Sequence, residues 1–98
     1  MFTGGKKNEQ LSALLQAGAV VIDVRSPQEF STGHVAGALN VPLGSIGQQL
    51  SQIKKLGKPV VACCASGMRS ASAAAQLKRE GIEAINGGSW TKVQSLCS

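Results

Sequence analysis

Tyrosine is absent from this chain, and Phe2, Phe30 and Trp90 are its only aromatic residues. The core must therefore be built from Val, Ile, Leu and Ala, and there is no aromatic ladder on which nucleic-acid bases could stack. No apolar run is long enough to cross a bilayer, so no membrane partner is expected. Acidic residues number five against ten Lys and Arg, a formal net charge of +5. The lysines (Lys6, Lys7, Lys54, Lys55, Lys58, Lys78, Lys92) are dispersed rather than gathered on one face, which argues against nucleic-acid binding. A positive balance of this kind either attracts small anions to a cleft or only keeps the chain soluble.

Cysteine is scarce and oddly placed. Cys63, Cys64 and Cys97 are odd in number and lack the spacing of a disulfide framework or a metal site. Adjacent cysteines on an extended strand do not meet the geometry of a disulfide. At least one free thiol is thus expected, which suits a reducing compartment. The opening MFTGGKKNEQ lacks the apolar core of a signal peptide. The expected location is cytoplasmic, or periplasmic if a leader has been removed.

What is present fits one folded domain over residues 1–98. Hydrophobic residues make up 43% of the chain and charged residues 15%, a balance that can bury a core. The runs Val20–Val24 and Val60–Cys64 are short, β-rich and bounded by Gly or Pro, as buried strands are. Leu39–Val41 and Glu83–Ile85 are weaker strand candidates. Leu11, Leu14 and Leu15 have helical spacing, with Gly18 as the stop. Ser26-Pro27-Gln28-Glu29 is a capping box with proline at the first helical position. Ser45 and Gln48 repeat that pattern ahead of an Ile46/Leu50/Ile53 stripe, which Gly57 and Pro59 end. A further helix follows Arg69 to about Glu80, with Gly81 as its terminal signal, and a shorter one begins near Ser89. Strands alternating with helices predict an α/β domain with a small, mostly parallel sheet of about five strands, flanked by helices on both faces.

In open α/β sheets ligands bind beyond the carboxyl ends of the strands. Two strands here end in reactive residues, one at Asp23-Val24-Arg25 and the other at Cys64. Cys64 then leads through Ala65-Ser66-Gly67-Met68-Arg69 into a helix. Inward loop amides and the positive end of the helix dipole would stabilise an anion at the centre of the loop. A cysteine held there has a lowered pKa. Gly67 permits backbone angles that a side chain resists, and Arg69 adds a fork of donors for anionic oxygens. The plainer alternative is that Cys64 is a small buried hydrophobe, as alternation predicts for Cys63 on the opposite face.

The loop Cys64-Ala-Ser-Gly-Met-Arg69-Ser resembles the active-site loop of the single-domain rhodanese family, the thiosulfate sulfurtransferases. Asp23-Val-Arg25 with Glu29-Phe30, then Gly33-His34-Val-Ala-Gly37-Ala38 and Asn40-Val-Pro42, resembles that family's N-terminal signature. Gly87-Gly88 and Trp90 resemble its closing motif. The likeness runs over residues 8–92, and several motifs in order are far more specific than any one.

This resemblance implies that Cys64 is a nucleophile carrying a persulfide. It would take sulfur from thiosulfate or a related anionic donor and pass it to cyanide or a thiol acceptor, including a protein thiol. The amides of Ala65, Ser66, Gly67, Met68 and Arg69 would hold the anionic sulfur, with no metal or organic cofactor. Asp23 and Arg25 would support the rim through hydrogen bonds and an ion pair, the latter between Arg25 and Glu29. His34 is expected to fix a loop, Trp90 to anchor the core, and Cys97 to sit inertly near a frayed terminus. The family commonly opens with a strand, for which only Phe2-Thr3 is available. Phosphatases and arsenate reductases of the related fold place one more residue between Cys and Arg than the four here, which disfavours them. A sulfur-carrier or interaction module without turnover is the non-enzymatic alternative.

Overall fold

The computed structural model describes residues 5–97. Four strands among them, β1 (Val20–Asp23), β2 (Leu39–Asn40), β3 (Val60–Cys64) and β4 (Ala84–Ser89), form one parallel sheet in the order β2-β1-β3-β4. About five strands were expected, and Phe2-Thr3, the segment named for an opening strand, lies outside the described residues. The helices are α1 (Gly5–Gln16), α2 (Pro27–Ser31), α3 (Ile46–Lys55), α4 (Met68–Arg79) and α5 (Trp90–Cys97), with a 3-10 turn at Leu43–Ser45 before α3.

Period-two alternation along the strands divides the core in two. Ile22, Val24, Val60, Ala62 and Cys64 face one side, where they meet Ile46 and Ile53 of α3 and Ala73, Ala74 and Leu77 of α4. Val21, Val61 and Cys63 face the other, against Leu11 of α1 and Val93 of α5. Cys63 and Cys64 therefore point to opposite faces, as alternation requires. The alanines of α4 are small enough to bring that helix close to β3 and β4. Each fully buried Val, Leu or Ile contributes about 1.5–3 kcal/mol, so these two layers supply most of the folding drive.

Helix boundaries follow local chemistry. Ser26 caps α2 reciprocally, its Oγ accepting from the Glu29 amide at 3.2 Å while its own amide donates to Glu29 Oε1 at 3.0 Å. Ser45 does not repeat this device, contrary to the sequence pattern, and makes no side-chain cap bond. The 3-10 turn has already wound Ser45 to φ −101°, ψ −5°, so its hydroxyl is not aimed at the first amides of α3. Ser89 is the better cap, accepting the Lys92 amide at 3.2 Å at the start of α5. That helix reaches Cys97, which is exposed and free, in place of the frayed end expected.

β4 extends four residues beyond the Glu83–Ile85 expectation. Gly87-Gly88 reads locally as a turn, yet Cys63 pairs with Gly88 and Cys64 with Ser89. Ala62 still pairs with Asn86, so the register shifts at Gly87, which bends the strand beside the end of β3.

Candidate active site

β1 and β3 are parallel neighbours with Asp23 opposite Cys63, so both release their chains at the same sheet edge. From Cys64 the chain passes Ala65 and Ser66, both exposed, to Gly67 at φ +103°. A Cβ there would lie 3.2 Å from the Gly88 Cα, so both the turn and the close approach of β4 require glycine. α4 then begins with no side-chain cap and no acidic residue in its first turn. Its unpaired amides and positive dipole end are left for the sulfur to satisfy.

The sulfur takes that place. The Gly67 amide lies 3.0 Å from Cys64 Sγ, and the Ser70 hydroxyl, in the first turn of α4, lies 3.3 Å away. Burial pushes the Cys64 thiol up, but the Ser70 hydroxyl and the amides of Ser70, Gly67 and Ser66 together outweigh it and bring the pKa to about 7. Cys63, one residue earlier and on the other face, has none of these donors. Burial first, and the nearby Asp23 carboxylate second, raise its thiol to about 12. Two adjacent cysteines thus have opposite characters: one is ionisable near neutrality and the other stays a thiol.

The rim differs from expectation in one pairing. Arg25 pairs with Asp23, not with the Glu29 carboxylate. Its Nε lies 2.9 Å from Asp23 Oδ1 and its Nη2 2.7 Å from Oδ2, with both residues buried. Other guanidinium hydrogens go to the carbonyls of Glu29 (3.3 Å) and Gly33 (2.7 Å), closing the end of α2. The same guanidinium stacks 4.9 Å from the Trp90 ring centre, a favourable cation–π contact. The edge of that ring leaves no room for a Cβ on Gly33, which would lie 3.0 Å from Trp90 Cη2. Arg25 is thereby committed to the scaffold.

The Glu29 carboxylate goes instead to Arg69, which holds both oxygens at 2.8 and 3.0 Å across the mouth of the loop. The Arg69 bonds, then the Ser26 amide, depress Glu29 to about 2. Of the two roles expected of Arg69, bracing the loop is the one visible in this pairing. His34 places Nδ1 2.8 Å from the Phe30 carbonyl and stacks on the Phe30 ring at 3.7 Å, a loop-fixing position. The Asn40 amide ties β2 to the rim through the carbonyls of Asp23 (3.1 Å) and Arg25 (2.9 Å). Met68 projects outward, 79% exposed.

Two residues at the sulfur were given no role by sequence reasoning. Ser70 is fully buried, and Asn86 meets it from β4. A serine directly after Arg69 in a helix's first turn was the available signal for the first. For Asn86 the only hint was a polar residue before Gly87-Gly88 in an otherwise apolar strand. Among the described residues no helix is long and apolar enough to cross a membrane.

Comparison with known proteins follows the same geometry. The family model described as "Rhodanese-like domain" matches residues 7–95. The uncharacterized protein YqhL of Bacillus subtilis (strain 168) is 42% identical over 67 residues, which are 68% of this chain and 52% of that protein. The chain thus spans about half the length of that relative. The thiosulfate sulfurtransferase GlpE of Pseudomonas syringae pv. syringae (strain B728a) is 37% identical over 83 residues, 82% of this chain and 77% of that one. The crystal structure of a rhodanese-like domain protein from Staphylococcus aureus superposes with a TM-score of 0.73 at 26% identity, covering 89% of this chain and 86% of that one. With its parallel sheet, its Cys64 loop at the carboxyl edge and a matching model over nearly its whole length, this chain belongs to the rhodanese-like domain family.

Proposed function

We propose that this protein is a sulfurtransferase that carries sulfane sulfur as a persulfide on Cys64, with thiosulfate or a similar anion as donor and cyanide or a thiol as acceptor. The observation that carries this reading is the Cys64 sulfur at the N-terminus of α4, 3.0 Å from the Gly67 amide and 3.3 Å from the Ser70 hydroxyl. GlpE proteins named thiosulfate sulfurtransferase are among its relatives, which supports the same chemistry.

In the first half-reaction the Cys64 thiolate attacks the outer sulfur of thiosulfate. A new S–S bond forms, the old one breaks, and its electron pair departs on sulfite. The product is Cys64–S–S⁻, whose charge falls within reach of the loop amides from Ala65 to Arg69. In the second, cyanide attacks the terminal sulfur, thiocyanate leaves and the thiolate returns. No external oxidant or reductant is needed, and the kinetics should be ping-pong. Cys64 is buried in the resting protein, so the donor enters by displacing rim side chains such as Ser66 and Met68.

Four residues separate Cys64 from Arg69, a ring suited to one sulfur rather than to a tetrahedral phosphoryl group. The test is intact mass before and after thiosulfate, with Cys64→Ser as control. Gain of one sulfur, lost on adding cyanide and absent in the variant, is expected. A folded, reduced protein that gains nothing would overturn the thiosulfate reading.

A further inference from the structure

Asn86 pairs with Ala62 immediately before the register shift at Gly87. Its side chain reaches into the Cys64 loop rather than into solvent. Nδ2 donates to the Gly67 carbonyl at 3.0 Å, and Oδ1 accepts from the Gly88 amide at 3.0 Å. These two backbone partners, one purely an acceptor and the other purely a donor, fix which end of the carboxamide is which. Oδ1 also lies 2.7 Å from Ser70 Oγ.

Ser70 has a single hydroxyl proton and two acceptors for it, Asn86 Oδ1 at 2.7 Å and Cys64 Sγ at 3.3 Å. We propose that Asn86 is a positioning residue for Cys64, holding the Ser70 hydroxyl and the Gly67 peptide in register with the sulfur so that the thiolate is met by donors as it forms. In the thiol state the chain runs from Cys64 S–H to Ser70 Oγ, and from the Ser70 O–H to Asn86 Oδ1. On ionisation the S–H bond breaks, the proton leaves to water and the electron pair stays on sulfur. The Ser70 hydroxyl then turns to Sγ. Asn86 Oδ1 keeps the Gly88 amide and is not left unpaired, so the turn costs little. Throughout, the bond to the Gly67 carbonyl holds that residue's peptides in place, with its own amide facing the sulfur.

The charged and titratable groups around this unit are the Arg69–Glu29 pair from α4 and α2, the Asp23–Arg25 pair at the end of β1, and the Cys63 thiol behind Cys64. None touches Asn86 in the structure's hydrogen bonds, so a change at Asn86 reaches the sulfur through Ser70 and Gly67. The inference rests on Cys64 being the working thiol, but its test does not involve sulfur transfer.

The experiment is a thiolate absorbance titration in a Cys97→Ser background, which removes the exposed thiol. The absence of tyrosine leaves that spectral window clear at high pH. Asn86→Asp places an anion beside Ser70 and loses the donor to Gly67. It should lower the ionisation constant of Cys64 at least tenfold, with a smaller fall for Asn86→Ala. Folded variants with an unchanged midpoint would overturn the proposal. If neither variant folds, the background protein decides by NMR. The Asn86 side-chain amide and Gly88 amide signals should shift with the same midpoint as Cys64, and signals that stay still as the thiol ionises would overturn it. Persulfide formation is scored separately by mass, so failure of the sulfur-transfer reading and failure of this one are distinguishable.

Discussion

Arg69 spreads its two terminal nitrogens across both carboxylate oxygens of Glu29, joining the first turn of α4 to α2 over 40 residues of sequence. Because the pair depresses Glu29 from 4.5 to about 2, its contribution to stability is present above pH 4.5 and lost as pH falls toward 2. Glu29→Gln should flatten that acid-side loss. Urea midpoints measured between pH 2 and 5 on both proteins check it, and parallel curves would count against the pair.

The two neighbouring thiols should titrate in separate ranges. Persulfide formation from thiosulfate should rise tenfold per pH unit below the Cys64 midpoint of about 7 and level off above it. Single-turnover rates across pH 5–9 test this.

Cys63 predicts the opposite trend in stability. Its folded pKa of about 12 lies above the ordinary 9.0, so between those values only the unfolded chain ionises. Unfolding is then favoured as pH rises, at about 1.4 kcal/mol per pH unit. Cys63→Ala removes this slope, which denaturant titration at pH 8 to 11 would reveal.

Arg25→Met leaves the Asp23 carboxylate buried without its partner, and also frees the carbonyls of Glu29 and Gly33. Breaking one side of a buried pair costs about 3–5 kcal/mol. Thermal unfolding should show that loss, with Arg25→Lys intermediate because an ammonium cannot reproduce the forked contact.

Gly87→Ala tests the register shift. A Cβ at Gly87 would lie 2.8 Å from both Val61 Cγ1 and Val93 Cγ2 and 3.1 Å from the Ala62 carbonyl oxygen. Overpacking of this kind costs about 1–3 kcal/mol. The thermal midpoint should fall by about 5 °C or more, and an unchanged midpoint would mean that β4 can move away.

Much of this arrangement is written locally. Two β-rich runs, a capping box at Ser26 and helical leucine spacing determine elements through contacts within a few residues, and sequence displays those directly. The same holds for the Cys64 loop, since an uncapped helix start placed directly after a strand is a short-range event. The opposite facing of Cys63 and Cys64 follows from strand geometry alone.

Partner choice was decided by the tertiary structure. Asp23 and Arg25, two residues apart in extended chain, face the same side and meet, while α2 turns the Glu29 carboxylate back onto Ser26 and outward to Arg69. The extra length of β4 and the shift at Gly87 exist only because β3 lies alongside to pair with them. Ser70 and Asn86, 16 residues apart, share one proton position only once β4 lies beside β3 and α4 packs across them. The sequence by itself determined that Cys64 would sit at a helix N-terminus. How firmly its donors are held there depends on side chains brought together by sheet pairing, whose separation in sequence carries no local signal.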